Sequence, residues 1–167
     1  RRAALLCLTT VILLGAALVP VIAEDAKVTQ DDRPKAAKLM QQGNWKEALD
    51  IYAALARDKD DAADKVSDDL RNAVNCLVRL GRVSEFDALM EDTIAAHGKN
   101  WRLLETAANL YCQADNYSVG HYGAIVAGKF ERGRHRGGTA KMVNCYERDR
   151  VRALQQLTIL AVPPRCR

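Results

Sequence analysis

A short turn recurs along this chain and sets its helices in pairs. Gly43-Asn44-Trp45 is followed by Ala48 and Tyr52, and Gly81-Arg82-Val83 is followed at the same offsets by Phe86 and Met90. Asp115-Asn116-Tyr117 supplies a third turn, so the turns recur at offsets of 38 and then 34 residues. A helix pair cannot bury both of its faces alone, so units repeated at such a period stack and share one core.

The apolar spacing between the turns is helical. Asp32 and Pro34 open a first helix that ends near Gln42, at Gly43. Asn44 opens a second, in which Trp45, Ala48, Leu49, Tyr52 and Leu55 fall on one face. A third is predicted over 63–80, with Val66, Leu70, Ala73, Val74, Leu77 and Leu80 inward and Gly81 as its stop. Ser84 is expected to cap a fourth, with Asp87 completing a shortened capping box and Phe86, Leu89, Met90 and Ile94 buried. Gly98 ends that helix, and His97 in its last turn suits the negative end of the helix dipole. Asn100 caps a fifth, whose Trp101, Leu104, Ala107, Ala108 and Tyr111 face inward. Aromatic residues make up only 5% of the chain, which suits packed helices better than packed sheets.

After the third turn the pattern breaks. Gly120, Gly123, Gly128, Gly133, Gly137 and Gly138 exclude a continuous helix, so residues 118–138 are expected to form an irregular inserted loop. Helical spacing resumes over 139–160, with Met142, Tyr146, Ala153, Leu154, Leu157 and Ile159 or Leu160 as the buried stripe, until Pro163-Pro164. Loops of that length inside a domain are usually functional or disordered.

The turn and its followers resemble the tetratricopeptide repeat, whose turn is Gly-Asp/Asn-aromatic, followed by a small residue and then an aromatic. The first unit matches with Gly43, Trp45, Ala48 and Tyr52; the second departs at Val83 and Phe86. The resemblance implies an all-α fold, a right-handed helical-hairpin stack of about six helices over residues 33–162. Its units are 33–56, 63–97 and 100–160, the last interrupted by the loop 118–138. The expected core aromatics are Trp45, Tyr52, Phe86, Trp101, Tyr111 and Tyr146.

The start of the sequence reads as a leader rather than fold. Arg1-Arg2 precedes an uncharged apolar run over 3–22, and Val21-Ile22-Ala23 stands before Glu24. This is the form of a secretory signal peptide, with cleavage expected after Ala23. The same run, if retained, is long enough to act as an anchor. Residues 24–32 read as a linker and 163–167 as a tail. Export to the periplasm or the extracellular space, with no membrane association after cleavage, is the expectation. Cys76, Cys112, Cys145 and Cys166 then enter an oxidising compartment, where four cysteines allow three pairings. Placement on apolar helix faces favours free buried thiols for Cys76 and Cys112.

The net charge of +4 is mild, but its distribution is uneven. Acidic residues lead over 24–70 and basic ones over 128–152. His121, Lys129, Arg132, Arg134, His135 and Arg136 are therefore the candidate interaction residues, carried by the Gly/Arg loop. Arg forks pair with carboxylates in two-pronged fashion, so the target is an acidic face, either on a partner or in this chain's own acidic half. A nucleic-acid target does not fit an exported protein with a single Arg/Gly run. Glu147, Arg148, Asp149, Arg150 and Arg152 read as a solvated helix face with Glu147–Arg150 and Asp149–Arg152 pairs.

Three chemical motifs fall short. Residues 123–130 approach a nucleotide-binding P-loop, but Phe130 stands where the magnesium-binding hydroxyl belongs. Cys112, His121, His135 and Cys145 match no compact zinc spacing. No Ser-His-Asp, Cys-His or paired-carboxylate spacing is specific. No cofactor and no metal are expected.

The run HYGAIVAGKFERGRHRGG, followed by VNCYERDRVRAL, resembles a segment near the N-terminus of very large secreted bacterial alpha-2-macroglobulin-like proteins of the planctomycete type. The resemblance implies a non-enzymatic protein–protein interaction scaffold: the N-terminal helical-repeat module of an exported protease trap, here as a fragment. The family's Cys-Gly-Glu-Gln thioester does not occur in this sequence. The partners implied are proteins, including downstream domains of the same polypeptide. The alternatives are a stand-alone periplasmic tetratricopeptide adaptor and a metal-binding protein using His121, His135 and cysteines. An open reading frame for β-sandwich domains downstream, or stoichiometric zinc, distinguishes among the three.

Overall fold

The computed structural model describes residues 28–113, 122–126, 128–133 and 141–161. The expected leader and tail lie outside the described residues. Among the described residues no helix is long and apolar enough to cross a membrane.

Six helices and three strands follow one another: α1 (Arg33–Gln41), α2 (Trp45–Arg57), α3 (Val66–Leu80), α4 (Phe86–Ala96), α5 (Trp101–Cys112), β1 (Tyr122–Val126), β2 (Lys129–Arg132), β3 (Lys141–Asn144) and α6 (Tyr146–Ala161). The first five helices lie close to their expected places. Gly43 and Gly81 carry φ of +81° and +68°, a conformation that costs side-chain-bearing residues. Each closes its helix the same way: the Asn44 amide donates to Leu39 O at 2.9 Å, and the Arg82 amide to Leu77 O at 3.0 Å. Asn100 caps α5, its side-chain oxygen accepting from the Leu103 amide at 3.3 Å, while its amide group donates to Ala63 O at 2.7 Å.

α4 starts differently from expectation. Its first turn is a 3-10 turn over Val83–Glu85, and Glu85 occupies the cap position. Ser84 does not cap the helix, and Asp87 is committed elsewhere.

The core gathers Leu49, Tyr52 and Leu55 from α2; Leu70, Val74 and Leu77 from α3; Phe86, Leu89 and Met90 from α4; Leu103, Ala107 and Tyr111 from α5. Phe86 and Tyr111 meet edge to face, their ring centres 5.6 Å apart. α1 packs on α2, α2 on α3 and α5 on α6, with further contacts between α3 and α5 and between α2 and α4.

The chain is mostly helical but not all-α. Where an irregular loop was expected, β1 and β2 form a hairpin, and β3, from the start of the expected last helix, joins them in an antiparallel sheet of order β2-β1-β3. Gly123 lies opposite Arg132 on one side and Val143 on the other. The near P-loop is therefore a hairpin. At Gly123 a Cβ would stand 2.4 Å from the Phe130 ring, so the aromatic side chain needs glycine beneath it. The last helix starts at Tyr146 rather than Thr139, because 141–144 are taken by β3.

The expected stripe of α6 is also corrected. Tyr146, Leu154, Leu157 and Ile159 are exposed, as is Met142 of β3; Ala153 is buried as expected, and its buried companions are Asp149 and Gln156. Trp101 is 57% exposed and leaves the expected core, and Trp45 is half-buried at its edge beneath Arg79. Tyr52, Phe86 and Tyr111 are buried as expected.

Candidate functional site

The hairpin brings Arg132 off the end of β2 into the interior, against α4 and α6. Its side chain is fully buried. A lone guanidinium could not stay there, because desolvating an unpaired charge costs several kcal/mol. Hydrogen bonds to two carboxylates compensate. Arg132 Nε and Nη2 donate to Asp87 at 2.8 and 3.0 Å, and Nη1 and Nη2 donate to Asp149 at 2.8 and 2.6 Å. Phe86 and Phe130 flank the guanidinium with ring centres at 5.0 and 5.8 Å.

Two further arginines extend the cluster. Arg148 Nη1 donates to Asp87 at 2.7 Å and lies 4.1 Å from the Phe130 ring centre. Arg152 grips Glu91 through Nε at 2.9 Å and also through Nη2. The Tyr111 hydroxyl donates to Glu91 at 2.8 Å. Asp87 and Glu91 stand one helical turn apart on α4, so both face α6. Three guanidiniums thus meet three carboxylates across α4, β2 and α6.

The protonation states follow from the same contacts. Burial pushes the Asp87 carboxyl up, but hydrogen bonds and charge from Arg132 and Arg148 outweigh it, and the group sits below its ordinary range. Glu91 follows the same pattern: burial raises it, and Arg152 and Tyr111 bring it down overall. Tyr111 is raised by burial and by its bond to Glu91. For Arg132, burial works against the charge, but its bonds to Asp149 and Asp87 win and hold the proton more firmly than usual.

Chemically, the cluster is a closed clamp. Its carboxylates accept from its guanidiniums across three elements. Of the expected interaction residues, Arg132 is an internal clamp and Lys129 is exposed on β2. His121, Arg134, His135 and Arg136 lie outside the described residues. The expected solvated face of α6 is overturned: Asp149 pairs with Arg132, and Arg152 with Glu91, across elements. Reading the charge run as one helix's own pairs missed Asp87, Glu91 and Asp149. Asp87 and Glu91 at i, i+4 beside buried Phe86 and Met90 carried the available signal.

Cys76 and Cys145 are buried free thiols and Cys112 an exposed one; Cys166 lies outside the described residues. Burial pushes the Cys76 thiol up to about 11, which leaves it protonated and unreactive at neutral pH. Among the described residues no group of three or more His, Cys, Asp or Glu is placed to hold a metal ion.

Because α6 turns Asp149, Ala153 and Gln156 inward, its larger apolar side chains face out. Tyr146, Val151, Leu154, Leu157 and Ile159 are between 42% and 55% exposed. Val151, Leu154, Gln155, Thr158 and Ile159 line an open groove of about 500 Å³. A second, larger groove of about 860 Å³ runs beside the α4–α5 connection, lined by residues that include His97, Lys99 and Trp101.

No family model, curated protein or solved structure matches the chain.

Proposed function

We propose that this chain is a non-enzymatic protein–protein interaction scaffold of stacked helical hairpins, in the manner of tetratricopeptide repeats. One observation carries the reading: the outward face of α6, the last helix, presents Tyr146, Val151, Leu154 and Leu157 to solvent. A contiguous apolar stripe on a helix is costly unless something covers it, and such stripes mark interaction surfaces. In a stack, the terminal helix is where the next unit docks.

The contacts of α2 with α4 and of α3 with α5 support stacked hairpins, as do the matching glycine ends of α1 and α3. The resemblance of 121–154 to exported alpha-2-macroglobulin-like proteins supplies the occupant: a following helical unit of the same polypeptide. In that setting the module is exported, binds no cofactor and performs no catalysis.

The test compares the wild-type chain with Leu154→Asp/Leu157→Asp, each titrated with the polypeptide encoded directly downstream of Arg167. The wild type is expected to bind it and the variant to lose at least tenfold in affinity, with unchanged circular dichroism. Equal binding by both proteins, or no binding by either, sinks the reading.

A further inference from the structure

The two outer strands of the sheet are treated differently. β2 packs against the 3-10 turn over Val83–Glu85. β3 borders β1 on one side, and among the described residues its other side meets no strand. The pairing decides which groups stand on that side. The Gly133 amide donates to Tyr122 O at 2.9 Å, so Tyr122 turns its backbone toward β2. Alternation then turns the backbones of Gly123 and Ile125 toward β3, where their partners are Val143 and Lys141. Met142, between those two, therefore points its own N–H and C=O away from β1.

The Met142 side chain is accessible too. Gly123 shares its face with Arg132 and Val143, the face turned to the helices. Met142 lies opposite Ala124 on the other face, where Tyr122 also stands. Met142 and Tyr122 are 46% and 52% exposed.

We propose that β3 is a self-association edge, through which a second copy of this chain joins antiparallel about a two-fold axis normal to the sheet. Backbone direction selects the register. Outward-pointing residues pair only with outward-pointing residues, so Met142 meets Met142 of the second copy and exchanges both backbone hydrogen bonds with it. Lys141 then stands opposite Val143, and no like charges meet. The axis keeps each face on its own side. The outer face gains an apolar row, Ala124 and Met142 of one copy followed by Met142 and Ala124 of the other, with a Tyr122 diagonal to each Met142. This self-complementarity favours a second copy over an unrelated strand. The packed margin of β2 ends the sheet at both sides, so the assembly closes as a dimer and does not grow. No residue of the outward face of α6 takes part.

Sedimentation velocity tests this on the intact chain, with reductant present so that exposed Cys112 cannot link copies. An edge of four residues holds weakly, so the range is about 1 to 500 µM. The wild type is expected to pass from monomer to dimer. Met142→Pro removes an amide that β1 does not use, a place where an edge strand tolerates proline. It is expected to weaken dimerisation about tenfold or more, through the lost backbone hydrogen bonds. Should it fail to fold, Met142→Lys replaces it and sets like charges across the axis, with the same loss expected. Leu154→Asp/Leu157→Asp is expected to dimerise like the wild type. The edge is overturned by a wild type that stays monomeric throughout, by dimerisation that both Met142 variants leave unchanged, or by dimerisation that the α6 variant abolishes.

Discussion

Arg132 and Asp149 face each other through two hydrogen bonds of 2.8 and 2.6 Å in the interior, joining a hairpin strand to the last helix. Neither side chain is more than 6% exposed, so removing one partner strands the other without water.

Arg132→Met is therefore expected to destabilise the protein by about 3–5 kcal/mol, the usual consequence of breaking a buried pair from one side. Arg152→Met, whose pair with Glu91 is partly solvated, is expected to cost about 1 kcal/mol or less. Urea denaturation of both variants measures the difference, and equal midpoints would remove Arg132 from its place as the central clamp.

Gly123→Ala is expected to cost about 1–3 kcal/mol, since the added methyl meets the Phe130 ring and the Glu131 carbonyl. Phe130→Ala vacates one of those obstacles. In a double-mutant cycle the two changes together should cost less than their sum, by about 0.5 kcal/mol or more. Strict additivity would show that the ring does not lie over Gly123.

Acidification should weaken the Arg132 cluster. Asp87 and Glu91 are held below their ordinary ranges in the folded protein, so the stability they contribute is present above their unfolded values and is lost as pH falls through their folded ones. Asp69, pushed up to about 6 by burial, runs the other way. Stability measured against pH should accordingly peak between about 3.8 and 4.5, where the unfolded carboxyls titrate, and decline on either side. In Asp87→Asn the acid limb should be shallower than in the wild type, and an unchanged acid limb would count against the assignment.

The helix ends were legible in the sequence because they obey a local rule. A left-handed residue must close α1 and α3, and only glycine takes that conformation at little cost, so Gly43 and Gly81 could be read directly. The sheet was not legible in the same way. Its six-glycine neighbourhood argued correctly against a helix, but the same glycines gave no sign that the short apolar run from Tyr122 to Val126 would pair as a strand. α6 was misread for a different reason. Hydrophobic periodicity assumes that apolar residues turn inward, whereas the space beside α6 holds a guanidinium. Asp149 must face it, and Ala153 and Gln156 follow at i+4 and i+7. No helix-by-helix pattern contains that fact, because the demand comes from a strand 17 residues away. Trp101, in the first turn of α5, is exposed and lies against Arg102, its ring centre 5.2 Å from the guanidinium.

The burial of Arg132 also decides how the hairpin is threaded. Strand side chains alternate between faces, so sliding β2 by one residue along β1 turns each of them to the other side. A slipped strand would swing Arg132 away from Asp87 and Asp149 and leave both carboxylates behind in the interior. The cost of that error, several kcal/mol for stranded buried charges, makes the ion cluster a proofreading device for strand alignment.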